Sequence, residues 1–233
     1  MKRKVSYKIV ISGKIVELFA VFKPVSHSFL SRTDEVKRYF VGGSGIRLDN
    51  VLKTKSRFKR LVRSNSDLTK FITLTFAINQ QDLTYCNHYF NNFIKRLSRL
   101  YPNFKYIAVP EFQKRGAVHY HLLCNIPTFV RNEYLRDVWG AGFVNIRNLR
   151  KSGINRIDLY MVKYLTKNID NRLFGRRKFL YSLNLSRPLV LRNVSQFVIM
   201  KMFNSSKLRL IYKKCVDFTW GLSLSYYQYS LDL

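Results

Sequence analysis

His119 and His121, in the stretch GAVHYHLL (116–123), are two of only four histidines in a chain of 233 residues. They flank Tyr120 in a short, mostly apolar run, which reads as a strand. In a strand, side chains at i and i+2 leave the same face. Both imidazoles therefore point one way and Tyr120 the other. Such a pair is either part of a metal site or two histidines satisfied by their surroundings.

The neighbouring strand offers a third ligand. FKYIAVPEF (104–112) and AVHYHLLC (117–124) both read as strands, and QKRG (113–116) turns the chain between them. With Lys114-Arg115-Gly116 as the loop, Gly116 supplies the left-handed conformation that closes it. Gln113 then faces Ala117, and Glu111 faces His119. A loop one residue longer would send Glu111 to the opposite face. In the favoured register Glu111, His119 and His121 converge, with Gln113 beside them. One carboxylate and two imidazoles can bind a divalent ion and leave positions open for a substrate oxygen. Nitrogen and oxygen donors without thiolate suit Mn²⁺ or Mg²⁺, with zinc as the alternative.

The second constellation is YMVKYLTK (160–167). Residues three and four apart are neighbours on a helix. Arg156, Tyr160, Lys163, Tyr164 and Lys167 then form a polar face, and Ile157, Met161, Leu165 and Ile169 an adjoining apolar stripe. In the plain alternative, the tyrosines are half-buried packing residues and the lysines are solvated. The chemical reading starts from the phenol, whose pKa of about 10 makes it a poor nucleophile at neutral pH. A nearby ammonium favours the phenolate, and a metal polarising a phosphate oxygen lowers the barrier to attack on phosphorus. Tyrosine, lysine and metal together suit phosphodiester transesterification, with a covalent phosphotyrosine product.

These groups must be positioned by a scaffold. FITLTFA (71–77) reads as a buried strand. DLTYCNHYFNNFIKRLSRLY (82–101) reads as a helix with Leu83, Cys86, Phe90, Phe93, Ile94, Leu97 and Leu100 on its inner face, stopped by Pro102. NEYLRDVWG (132–140) is a short helix closed by glycine, FVNIRNL (143–149) a strand, and INRIDLYMVKYLTKNI (154–169) the tyrosine helix. RLFGRRKFLYSLNLSRP, after it, reads as a basic loop with aromatics. The order predicts an α+β fold, a central antiparallel sheet flanked by helices. The N-terminal residues 1–25 read as a strand pair turned at Ser12-Gly13. The basic stretch KTKSRFKRLVRSNSD (53–67) is either a helix lying on phosphates or a solvated face.

The charge is lopsided, with 42 Lys+Arg against 13 Asp+Glu and a net charge of +29. That says little about fold and much about partners. Nucleic acid is the favoured polyanion, because aromatic residues make up 15% of the chain and can stack on unpaired bases. An anionic membrane is the rival. No apolar run approaches the roughly 18 residues of a spanning helix. KIVISGKIVELFAVF (8–22) is interrupted by Lys14 and Glu17, and the Met-Lys-Arg-Lys start lacks the apolar centre and cleavage site of a signal peptide. Three scattered cysteines, Cys86, Cys124 and Cys215, argue for a reducing cytoplasm and read as buried small apolar residues. No P-loop occurs, which argues against a built-in ATPase motor.

FITLTF, HYH and YMVKYLTK, in this order, resemble the three motifs of the HUH-superfamily rolling-circle replication initiators, with Tyr120 as the bulky residue between the histidines. The paired tyrosines resemble the two-tyrosine group of phage and plasmid replication proteins. The resemblance covers roughly residues 68–190. It implies that His119, His121 and Glu111 bind the metal, that Tyr160 is the widely shared nucleophile and Tyr164 the second one, and that Lys163 and Lys167 are their lysines. It implies an endonuclease and strand transferase that nicks single-stranded origin DNA through a 5′-phosphotyrosine, leaves a 3′-OH, and later rejoins the strand. Unwinding and extension are expected to fall to a host helicase and polymerase, in a bacterial host cytoplasm. Candidate DNA contacts are Arg115, Arg156, Arg176, Arg177 and Lys178. The expected organisation is a basic N-terminal segment with β structure (1–66), the nuclease domain (67–190) and a C-terminal extension (191–233). An HUH transposase or relaxase is the alternative within the superfamily. A non-enzymatic basic nucleic-acid-binding protein is the alternative from another class.

Overall fold

The strand that carries the histidines, VHYHLLC, is buried along its whole length. In a computed structural model, which describes residues 3–24, 48–127, 130–167, 171–173, 176–203, 207–218 and 222–231, the chain divides into two compact units. One comprises Thr54–Ser186 and the other Met1–Lys53 with Arg187–Leu233. Each is built on a five-stranded antiparallel sheet, and five α-helices occur among the described residues, so the fold is α+β as the pattern predicts.

The sheet of the Thr54–Ser186 unit has the order β6-β3-β5-β4-β7. Its strands are β3 (Lys70–Phe76), β4 (Tyr106–Phe112), β5 (Val118–Cys124), β6 (Gly142–Asn148) and β7 (Leu180–Tyr181). All seven residues of β5 are buried, as expected of a central strand covered on both faces. One face packs on α2 (Leu83–Leu100) and α3 (Asn132–Trp139). There Leu74, Phe90, Phe93, Tyr120, Leu122 and Trp139 share a core. The other face packs on α1 (Leu48–Arg63) and α4 (Ile157–Lys167) through Phe58, Leu61, Phe71, Ile107, Leu123, Met161 and Leu165. Period-2 alternation thus sends Tyr120 and the two histidines to opposite faces. Tyr120 stacks on Phe90 at 4.4 Å between ring centroids and donates to Asn87 Oδ1 at 2.8 Å.

Local signals explain the element ends. Asp82 caps α2 by accepting from the Thr84 amide at 2.7 Å. Gly140 closes α3 in the left-handed conformation. The hairpin between β4 and β5 has the register read from its loop: Glu111 lies opposite His119, Gln113 N donates to Ala117 O at 2.9 Å, and Gly116 has φ of 90°. The positive φ is what requires glycine here, since a Cβ would meet only the movable end of the exposed Gln81 side chain.

Several expectations need correction. The N-terminal strands β1 (Arg3–Ser12) and β2 (Ile15–Pro24) turn at Gly13-Lys14, one residue later than expected, because Ser12 already pairs with Ile15. The tyrosine helix starts at Ile157 rather than residue 154, and Ile169 lies outside the described residues. Leu100, the last residue of α2, is 46% exposed rather than on the inner face. The basic loop after α4 contributes the short strand β7. Cys86 and Cys124 are buried, but Cys215 is exposed on a strand, its Sγ 3.3 Å from Ser225 Oγ.

The other unit joins the two ends of the chain in the order β8-β1-β2-β10-β9, with β8 (Leu189–Val194), β9 (Leu208–Asp217) and β10 (Ser223–Leu231). Its core of Ile9, Val16, Leu18 and Ile199 lies under α5 (Gln196–Phe203).

One buried ion pair fixes the tyrosine helix. Asp158, 5% exposed in the first turn of α4, accepts from Arg63 Nε of α1 at 2.7 Å and from Arg156 Nε at 3.3 Å. Burial would raise its carboxyl pKa, but the two guanidinium groups outweigh burial and hold it below the ordinary range. Its contribution to stability is therefore complete above the unfolded carboxylate pKa of about 3.9 and disappears as pH falls through the lower folded value. Asp158→Asn should cost ~3 kcal/mol at neutral pH, because Arg63 is left buried without its countercharge. Urea unfolding from pH 7 to pH 2.5 checks this: the gap between wild type and variant should persist to about pH 4 and narrow below it. A constant gap would show that the carboxylate charge is not what stabilises the helix.

Candidate active site

The site is built on the sheet face that carries α1 and α4. From β5 come His119 and His121, from β4 Glu111, and from β3 Phe71, Thr73 and Thr75. Thr73 pairs with His121 and Thr75 with His119. From β6, across β3, Asn145 reaches the row of His121 and Arg147 the row of Phe71.

The α4 tyrosines sit over this floor. Their hydroxyl oxygens are 3.1 Å apart. The Tyr164 ring lies 4.0 Å from the His121 imidazole, centroid to centroid. Phe71, almost fully buried, touches all three rings: it stacks on His121 at 5.6 Å and meets Tyr160 and Tyr164 at 5.4 and 5.3 Å. One aromatic side chain thus sets the spacing between the tyrosine helix and the histidine strand.

Among the described residues, the cation that donates to Tyr160 Oη comes from β6 rather than from the tyrosine helix. Lys163 Nζ lies over the Tyr160 ring, 5.3 Å from its centroid. Arg147 Nη2 of β6 donates to Tyr160 Oη at 3.1 Å. Arg147 and Phe71 were missed at the sequence level. Their signal was strand alternation, which puts Phe71 and Thr73 of FITLTF and Arg147 of FVNIRNL on one face once the sheet order is known. The Lys167 side chain lies outside the described residues. Burial, then the hydrogen bond with Tyr160, push the Tyr164 phenol well above its ordinary pKa, with Arg147 opposing.

The three expected metal ligands share one face, with their side chains engaged as follows. Glu111 Oε2 is in hydrogen-bond contact with His121 Nε2. Thr73 Oγ1 is 3.4 Å from His121 Nδ1, and Gln113 Nε2 is 3.4 Å from His119 Nδ1. His119 Nε2 is buried and has no hydrogen-bond partner among the described residues. Burial, then the neighbouring His121, hold His119 below the ordinary histidine pKa. Among the described residues, no group of three or more His, Cys, Asp and Glu side chains is arranged to hold a metal ion. The donor set nevertheless suits one. A buried imidazole nitrogen without a partner is costly unless a ligand takes it, and neutral imidazole is the ligating form. Glu111 would have to turn from His121 to join such a ligand set.

The expected DNA contacts fall in three places. Arg115, exposed in the hairpin loop, donates to Gln113 Oε1 at 3.0 Å. Arg156 is spent in part on Asp158. Arg176, Arg177 and Lys178 gather in a separate cleft beside β7. Among the described residues no helix is long and apolar enough to cross a membrane.

Residues 69–169 match a family model of replication-associated proteins, the ORF2 type. The matched segment runs from the start of β3 to the end of α4 and contains Phe71, Glu111, both site histidines, Arg147 and both tyrosines. It supports a replication-initiator role and DNA as the partner. No curated protein and no solved structure matches the chain.

Proposed function

We propose that this chain is an HUH-type endonuclease and strand transferase of the two-tyrosine group, initiating rolling-circle replication. The observation that carries the reading is the meeting of two tyrosine hydroxyls and a histidine pair on one sheet face, with the Tyr164 ring 4.0 Å from that of His121. Glu111, His119 and His121 would hold a divalent ion, Mn²⁺ or Mg²⁺, whose chemistry is to polarise a non-bridging phosphate oxygen.

The chain's own groups supply the rest. The Tyr160 oxygen attacks phosphorus, its proton passes to solvent, the P–O3′ bond breaks, and the 3′ oxygen leaves as a hydroxyl after taking up a proton. One phosphodiester is exchanged for another, so no nucleotide hydrolysis is required and the reaction reverses to rejoin strands. Arg147, which donates to Tyr160 Oη, places a positive charge beside the attacking oxygen. Phe71 holds the tyrosine helix at its distance from the histidines.

The test is incubation of the protein with single-stranded origin DNA and Mn²⁺, followed by a denaturing gel. A covalent adduct on the 5′ phosphate of the cleaved strand and a polymerase-extendable 3′-OH are expected. A mobility shift with no adduct would leave a binding protein and remove the enzyme.

Cleavage should also favour unpaired DNA. Tyr160 must reach a backbone phosphate in line, which a stacked duplex hinders, and unstacking carries a cost of a few kcal/mol. A single strand should be cut at least about tenfold faster than the same sequence in relaxed linear duplex. Equal rates on the two substrates would contradict this.

A further inference from the structure

A second cationic site lies on the same unit, outside the matched segment 69–169. Arg57 and Thr54 of α1, Arg176, Arg177 and Lys178 of the loop that follows α4, and Phe179 and Tyr181 line a cleft of about 330 Å³. None of the four cations forms an ion pair with a described Asp or Glu. Their hydrogen bonds go to neutral acceptors. Arg57 donates to Tyr181 Oη, Arg176 Nη1 to Thr84 Oγ1 at 3.3 Å, and Lys178 Nζ to the Leu173 carbonyl at 3.0 Å. Four like charges around one concavity oppose each other until an anion joins them.

The cleft is chemically selective. The Arg57 guanidinium covers Phe179 and Tyr181, 5.7 and 5.3 Å from their centroids. Arg57 thus occupies one face of each ring. What the cleft offers is guanidinium donors, whose planar fork matches phosphate oxygens. Tyr181 pairs with Ile107 of β4, and Ile107, Val109 and Glu111 share a strand face. The cleft thus stands on the face of the tyrosine–histidine site, ~13 Å back along β4 from Glu111. It flanks the β7 edge, opposite the β6 edge that carries Arg147.

We propose that this cleft is a phosphate anchor that grips the backbone of the single strand running away from the nick, without reading its bases. The identity of the anion rests on the strand-transfer reading. The charge geometry does not.

The test is fluorescence anisotropy of labelled single-stranded oligonucleotides of unrelated sequence, titrated across salt. Arg176→Gln with Arg177→Gln should lower the slope of log Kobs against log salt by about 1.4, or 0.7 for each phosphate that is no longer neutralised. Affinity should fall about tenfold, equally for all sequences. Removing two charges from the outer face of α2, Lys95→Gln with Arg99→Gln, should change the slope by less than half as much. Lys178→Gln alone, a milder change, should lower it by about 0.7. Equal slopes for the cleft and α2 pairs would overturn the anchor in favour of diffuse charge. A loss confined to particular sequences would overturn it in favour of base reading. Equilibrium dialysis with dATP separates a free nucleotide from a strand: dATP binding abolished by the cleft pair, with an unchanged DNA slope, would also overturn the anchor. Failure of the wild type to form a covalent adduct would remove the strand-transfer reading and leave this comparison interpretable.

Discussion

Replacing His121 by alanine is expected to abolish DNA cleavage, by at least about 10³-fold, while DNA affinity stays within about twofold of wild type. The two effects separate because their sources do. His121 sits at the centre of the site, stacked on Phe71, beside Tyr164 and in contact with Glu111. Affinity for a polyanion comes from cations distributed over a chain of net charge +29. Chelation should silence the wild type and added Mn²⁺ should restore it, whereas no concentration of Mn²⁺ should restore the variant. Adduct yield on a denaturing gel reads the first effect and anisotropy across salt the second. Undiminished cleavage by His121→Ala would remove the metal reading, and a matching loss of binding would point to a general folding defect.

The parts of this site that could be read from the sequence are those set by local periodicity. The i, i+2 spacing of His119 and His121 fixes a shared strand face, and Gly116 fixes the loop that brings Glu111 opposite His119. The three- and four-residue spacing in α2 separates Phe90 and Phe93 from the solvent side. What could not be read depends on pairings between distant segments. Arg147 looks like a solvated arginine in an alternating strand until β6 is known to flank β3, next to the histidine strand. Arg63 and Asp158 are 95 positions apart, and neither residue type announces burial. The second sheet has the same difficulty, since β2 pairs with β10 so that Phe19 meets Tyr226 across the length of the chain. Its strand β9 is exposed along most of its length, so no hydrophobic alternation marks it.

The sharpest remaining expectation concerns the division of labour between the tyrosines. Tyr160 and Tyr164 lie one helical turn apart, so either can reach one phosphate with a small shift of helix or strand. That suits two successive transfers, one tyrosine holding the first 5′ end while the other attacks the regenerated junction. Their surroundings differ in a way that orders them. Tyr160 Oη receives a hydrogen bond from Arg147. Tyr164 is held in its neutral form by burial and by its hydrogen bond with Tyr160. Tyr160 is therefore the better first nucleophile. Tyr160→Phe should lose most initial nicking, roughly 10²-fold or more, and Arg147→Gln should lower the same step by about tenfold. Tyr164→Phe should nick normally once and fail in repeated rounds. The double variant should form no adduct. Peptide mapping of the trapped adduct, in single- and multiple-turnover reactions, separates this scheme from one in which a tyrosine only packs against Phe71. If adducts form on one tyrosine alone, and the Phe variant of the other turns over normally, the chain works with a single nucleophile.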